Sequence, residues 1–178
     1  MAICNALTAG LAKSCSTNTG GLNKFYVTDF ENVTAYTIAA GTGGDWITGI
    51  TLGAGDFYEF QTNKNVCNFT EKATIDLQKG TTFFDQKVSL VLSRRETIKR
   101  NAIEELTAGQ KPLLIICLDS NGLYWLSGKI EGSFVSNVDG GTGTAKADSN
   151  GYTIEFSAME PEQMYQIDPS IIAGIVSI

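Results

Sequence analysis

Between Val66 and Ser93 the chain carries the longest strand signal in its sequence. In the first half Phe69, Ala73, Ile75 and Leu77 fall on one face, and Thr70, Lys72, Thr74, Asp76 and Gln78 fall on the other. That is the period of two expected of a sheet with one wetted side. Lys79-Gly80-Thr81-Thr82 turns the chain, and in the returning half Val88, Leu90 and Leu92 oppose Lys87 and Ser89. Each arm holds about a dozen residues, roughly 35–40 Å at ~3.3 Å per residue, long for a strand of a small domain. A hairpin of this length bends across a barrel or projects toward a neighbour. It commits the chain to a β architecture.

The flanking segments agree. Lys24 to Asp29, Val33 to Ala39, Trp46 to Leu52 and Phe57 to Thr62 are short β-rich runs separated by turn residues,. Pro112 to Asp119 is nearly all apolar and reads as a strand buried on both faces,. Asn121-Gly122 then predicts a tight primed turn into Tyr124-Trp125-Leu126, with Lys129 to Val135 continuing the sheet. Asp139 to Gly143 reads as a flexible connection. Ser149-Asn150-Gly151 turns the chain into a strand whose Tyr152, Ile154 and Phe156 face the core.

One helix interrupts the strands, predicted over 94–107. Ser93 and Glu96 have the spacing of a capping box, and Glu96 and Arg100 that of an i,i+4 pair. Ile98, Ala102, Ile103 and Leu106 form its apolar stripe, and Gly109 and Pro112 stop it,. The fold class is therefore mainly β, a β-sandwich or barrel with a long hairpin and one packed α-helix. No repeat and no long linker divides it. A small-residue arm, 1–21, leads into the domain at 22–168, and an apolar uncharged segment at 169–178 is expected to dock as a final strand or arm.

The 178 residues include no histidine, which excludes Ser-His-Asp and Cys-His nucleophilic systems and His-ligated metal sites. Thirteen basic residues against nineteen acidic ones leave a net charge of −6, against the clustered Lys and Arg that gripping nucleic acid requires. The one basic cluster, Arg94, Arg95, Lys99 and Arg100, sits beside Glu96, Glu104 and Glu105, and reads as a solvated or subunit-contacting helix face,. No run approaches the ~20 apolar residues of a membrane span, and Met1 to Cys15 lacks the basic start of a signal peptide. Cys4, Cys15, Cys67 and Cys117 form no C-x-x-C pair and read as free thiols, Cys117 as a small core residue.

Nothing in the sequence converges on an active site. The glycine runs at 41–44 and 140–143 lack the Gly-Lys-Ser/Thr ending of a phosphate loop,. Asp119 has a partial calcium-loop flavour but lacks the spacing and terminal Glu, and reads as support for a turn. Trp46, Tyr124 and Trp125 are candidates for a sugar platform or, more simply, core aromatics. No catalytic residue, cofactor or metal is expected. What remains is assembly: the arm, the long hairpin and the apolar tail all want a partner, and copies of the same chain are the commonest partners.

From Val66 to Asp168 the order of features resembles the bacteriophage tail-tube protein family. The long hairpin is followed by the helix Arg94 to Ile103 and the buried strand Leu113 to Leu118. The Asp119-Ser120-Asn121-Gly122 turn, Gly128-Lys129-Ile130-Glu131-Gly132 and the Asp148-Ser149-Asn150-Gly151-Tyr152 turn come next. The resemblance implies a non-enzymatic virion protein assembled in the host cytoplasm. It would form stacked, hexameric rings that contact other tail proteins and pass DNA without gripping it. It maps the hairpin as lumen wall and inter-ring contact. Thr70, Lys72, Thr74, Asp76 and Gln78 become candidate lumen-facing residues. Arg94, Arg95, Lys99, Arg100, Ile171, Ile172, Ile175 and Ile178 become candidate subunit contacts. The same composition fits a head–tail adaptor, baseplate hub or capsid decoration protein. A carbohydrate-binding β-sandwich using Trp46, Tyr124 and Trp125 is the alternative from another class.

Overall fold

The computed structural model describes residues 10, 11, 13–41, 44–62 and 66–177. Among these residues the chain is mainly β, with twelve strands in two sheets and two α-helices. In chain order they are β1 (Leu22–Asp29), β2 (Val33–Gly41), β3 (Gly44–Leu52), β4 (Phe57–Gln61), β5 (Asn68–Asp76), β6 (Thr81–Ser93) and α1 (Thr97–Thr107). There follow β7 (Leu113–Asp119), β8 (Tyr124–Ser127), β9 (Phe134–Gly141), β10 (Gly151–Glu160), β11 (Tyr165–Ile167), α2 (Pro169–Ile175) and β12 (Val176–Ser177).

Eight strands form one sheet in the order β12-β4-β1-β7-β8-β11-β3-β2, and four form the other in the order β5-β6-β10-β9. Alternation along β7 explains the architecture. Leu113, Ile115 and Cys117 point into a core shared with Val88, Leu90, Ile154 and Phe156 of the four-stranded sheet. Leu114 and Ile116 point the other way, into a second core with Tyr26, Phe57, Ile47 and Leu126. All five β7 residues named are buried, so this apolar run is buried on both faces as expected. Phe57 and Ile47 come from near opposite ends of the large sheet, which therefore curls into a half-barrel to bring them together. Burial raises the Cys117 thiol well above its usual range,.

The predicted helix starts later than its sequence signals indicate. β6 runs through Ser93, which pairs with Gly151, so that residue stays extended. Arg94 then turns with φ 61, and Glu96 becomes the cap residue with no side-chain capping bond. Its carboxylate pairs instead with Arg94 and Lys99, while Arg100 pairs with Glu104. The capping box and the Glu96–Arg100 pair are thus both replaced, because strand pairing claims Ser93 first. Gly109, at φ 74, does end the helix. Of the apolar stripe, Ile103 is buried and Leu106 packs on the core, whereas Ile98 is 81% exposed.

Three further expectations are corrected. Asn121-Gly122 does not make a two-residue primed turn, since only Gly122 of the pair has positive φ. A four-residue loop spans 120–123 because Asp119 organises it, accepting from the N–H groups of Asn121 (2.8 Å) and Leu123 (2.9 Å). Residues 128–132 leave the sheet as a corner, Ser133 bridges back to Leu113, and β9 runs on through Asp139 to Gly141, paired with β10. The apolar C-terminal segment is mostly helix. Asp168 caps α2 by accepting from Ser170 N–H at 2.9 Å, and Pro169 occupies the first turn,. Among its described residues only Val176 and Ser177 form a strand, parallel to β4.

Candidate assembly surface

The four-stranded sheet has one face on the core and one away from it. Its cross-strand rows place Thr70, Lys87 and Ser157 together, and Asn68, Ser89, Glu155 and Asn137 together. These polar side chains line a shallow hollow of about 620 Å³ on the outer face. Lys72 and Lys87 on this face are set against Asp85, Glu155 and Asp139, a mixed and nearly balanced lining. The acidic excess of the chain therefore lies mostly elsewhere.

Both outermost strands of this sheet, β5 and β9, have a strand neighbour on one side only among the described residues. Each consecutive pair in the sheet is antiparallel. With four strands the two edges consequently run in opposite directions.

The hairpin reaches beyond its own sheet. β10 pairs with β6 only as far as Glu160 opposite Phe84, while β5 and β6 stay paired out to Asp76 opposite Thr81. Residues 74–83 thus form a two-stranded ribbon clear of the sandwich. Ala73, Ile75 and Leu77, predicted for the covered face, are exposed there or at its base, Ile75 at 62% and Leu77 at 91%. The period-two pattern holds, but among the described residues no second sheet extends far enough to cover it. Of the candidate lumen residues, Thr70, Lys72 and Thr74 lie exposed on β5. Asp76 instead braces the ribbon turn, accepting from Gln78 N–H (3.0 Å) and Lys79 N–H (3.1 Å), and Gln78 sits in that turn.

The candidate contact residues separate by role. Lys99 Nζ donates to the carbonyls of Ser93 (2.6 Å) and Arg94 (3.3 Å), clamping the β6–α1 junction. Arg95 lies 5.0 Å over the Tyr152 ring and reaches the Gly140 carbonyl. Arg94 and Arg100 turn outward, paired with Glu96 and Glu104. Ile172 and Ile175 are buried in the second core with Ile171 packed against it, so the chain's own sheet takes up their apolar surface. Ile178, like Cys4, lies outside the described residues.

Tyr124 and Trp125, neighbours on β8, point to opposite sides of the large sheet. Tyr124 meets Tyr26 with ring centroids 6.4 Å apart, and Trp125 meets Phe69 at 6.4 Å. The Trp125 indole N–H donates to Asp119 at 3.2 Å. Tyr124 and Trp125 are half-buried, packed against the two cores on opposite sides, and so do not share one platform.

A buried polar cluster escaped the sequence reading. Gln86, Ser127, Ser133 and Glu160 are each no more than 2% exposed. The Gln86 amide is fully used: Oε1 accepts from Ser127 Oγ (3.0 Å) and Gly128 N–H (3.2 Å), and Nε2 donates to the Glu162 carbonyl (3.2 Å) and Glu71 Oε1 (3.4 Å). Glu71 Oε1 also accepts from Met164 N–H at 2.6 Å. The Glu160 carboxylate accepts from Ile130 N–H (3.0 Å) and Glu131 N–H (2.9 Å). Burial outweighs these amide donors and holds its pKa above the ordinary glutamate range,. Glu162, bonded to Tyr165 and Lys129, is held below that range. The available signal was polarity out of phase: Gln86 stands among inward-facing Val88, Leu90 and Leu92, and Glu160 ends the inward series Tyr152, Ile154, Phe156 and Ala158.

Among the described residues no helix is long and apolar enough to cross a membrane. No protein-family model, curated protein or solved structure matches the chain.

Proposed function

We propose that the chain is a virion structural protein, the subunit of a bacteriophage tail tube, which closes into hexameric rings that stack into a channel for DNA. The observation that carries this reading is the polarity of the four-stranded sheet. Its open edges, β5 and β9, run in opposite directions. When β9 of one copy meets β5 of the next head-to-tail, the new pair is antiparallel like every pair already present. Such a heterologous contact closes into a ring when the rotation allows it, and closure removes the exposed edges that a lone sheet would carry.

The outer face then lines the channel. Its polar side chains and nearly balanced charges avoid the dense positive field that would hold a phosphate backbone,. DNA passes without specific contact, and the protein performs no catalysis. The ribbon, extending past the sheet end, is placed to meet the next ring, and other tail proteins would meet the terminal rings. The virion is the site of action, after assembly in the host cytoplasm.

Negative-stain microscopy of the purified protein tests the reading. Stacked tubes with a continuous lumen are expected as concentration and salt are raised. Rings that never stack would move the assignment to an adaptor or hub, and discrete single particles under all conditions would remove ring formation altogether.

A further inference from the structure

We propose that Glu71 and Gln86 are a positioning pair that fixes the direction in which the ribbon 74–83 leaves the sandwich. The two residues occupy a cross-strand pair at the root of the ribbon, two pairs before the strands lose the cover of β10 at Glu160 opposite Phe84. A two-stranded ribbon has little rigidity of its own, so its direction depends on how its root is held.

That root is held by polar bonds of defined geometry. Through Oε1, Gln86 grips the β8 end at Ser127 and Gly128, where the chain leaves the large sheet. Through Nε2 it grips the Glu162 carbonyl, where the chain returns from β10 toward β11. Glu71 adds the Met164 N–H of the same return and completes the circuit back to Gln86. Two of the inter-sheet crossings, β8 to β9 and β10 to β11, are thereby tied to the two strands that form the ribbon. An apolar contact at this position would leave the strands free to pivot, because hydrophobic burial is not directional. Hydrogen bonds are directional, and a fully satisfied buried network specifies one arrangement.

The inference rests on the proposed tube reading only for its effect on stacking. A ribbon already aimed before association loses less conformational freedom on binding, so loosening the root raises the concentration needed for tubes. The direction of the ribbon is measurable in the unassembled protein.

Spin labels at Gln78→Cys on the ribbon turn and Glu105→Cys on α1, with Cys4 and Cys15 replaced by serine, report the ribbon-to-body distance by pulsed electron resonance. The expected result is a single narrow distribution in the otherwise unaltered chain, and one at least twice as broad in Glu71→Ala. Glu71→Gln, which keeps an acceptor for Met164 and Gln86, should restore the narrow distribution. Equal widths in the unaltered chain and Glu71→Ala would overturn the proposal, as would broadening that Glu71→Gln fails to reverse. If Glu71→Ala does not fold, Ser127→Ala removes one bond to Gln86, and an unchanged width there overturns the proposal in the same way. In the stacking arm, Glu71→Ala should raise the assembly threshold several-fold. Absence of tubes from the unaltered chain counts against the tube reading and leaves the distance result to decide the positioning pair.

Discussion

Glu131 donates its backbone N–H to Glu160 Oε1 at 2.9 Å, across 29 residues of sequence and between two different inter-sheet crossings. Ile130 N–H joins it at 3.0 Å. A carboxylate only 2% exposed thus organises the corner where β8 gives way to β9, from the end of β10 where the chain turns back toward β11. The carboxylate itself is buried while Ile130 is 42% exposed, so these half-buried backbone donors meet one side chain in place of water. Removing it by Glu160→Ala should cost about 2–4 kcal/mol by leaving these donors unpaired. An unchanged urea midpoint would argue that water replaces the carboxylate.

Titration of the same group has a defined sign. Burial raises the Glu160 pKa in the folded protein above its unfolded value, so the folded state binds the proton more tightly. The stability contributed by that preference is fully present below the ordinary glutamate value of about 4.3. It is lost as pH rises through the folded pKa. Glu160→Gln does not titrate and should lack this loss. Urea unfolding across acid to neutral pH should therefore show the unaltered chain losing stability relative to Glu160→Gln as pH rises. A difference that is flat, or slopes the other way, would mean that the amide donors and not burial dominate.

Gly151 tests the junction of β6 and β10. A Cβ there would collide with the Leu92 carbonyl, which is backbone and has no rotamer to yield. Gly151→Ala should therefore destabilise by about 2–3 kcal/mol. For a chain of this size that lowers the thermal midpoint by roughly 4–12 °C. A midpoint unchanged within error would show that the Ser149-Asn150-Gly151 turn shifts freely.

Asn121 tethers the segment before β1. Its side chain accepts from Thr19 N–H at 2.8 Å and donates to Asn18 at 3.1 Å. Both bonds are exposed, so Asn121→Ala should change global stability by no more than about 1 kcal/mol. Trypsin cleavage after Lys13 should nevertheless become several-fold faster. Unchanged cleavage would mean that Ser120, which bonds Gly21, holds the segment alone.

The two isoleucines of α1 should behave differently. Ile103→Ala opens a hole beneath the helix and should cost about 2–4 kcal/mol, whereas Ile98→Ala at an exposed site should change monomer stability by less than about 0.5 kcal/mol. Denaturant titration of both variants decides this. Comparable losses would show that α1 packs through a wider stripe than the burial of Ile103 implies.

Replacing Thr74–Phe83 by Asn-Gly removes the ribbon while leaving the sandwich. The thermal midpoint should hold within a few degrees, because Ile75 and Leu77 lie outside both cores. Stacking should be lost. Tubes formed by the shortened chain as readily as by the full one would take the ribbon out of the inter-ring contact.

Local patterns determined much of the architecture. Period-two alternation at Val88, Leu90 and Leu92 and at Tyr152, Ile154 and Phe156 identified core-facing positions, because a strand turns successive side chains to opposite faces wherever it lies. The apolar run Leu113 to Cys117 likewise declared burial on both sides. The start of α1, the reach of β9 and the helical C-terminal segment involved competition between local signals and pairing. Strand partners took Ser93 and Gly141, and Asp168 with Pro169 started a helix where apolar content alone pointed to a strand. Only the folded chain decided that Gln86, Glu71 and Glu160 are joined to the crossings at Gly128 to Glu131 and Glu162 to Met164. Hydrogen-bond partners 15 to 93 residues apart leave no periodic trace, because their spacing is set by where the sheets cross. The same holds for the ribbon: alternation carried the strands to its tip, but the end of β10 determined where their cover stopped.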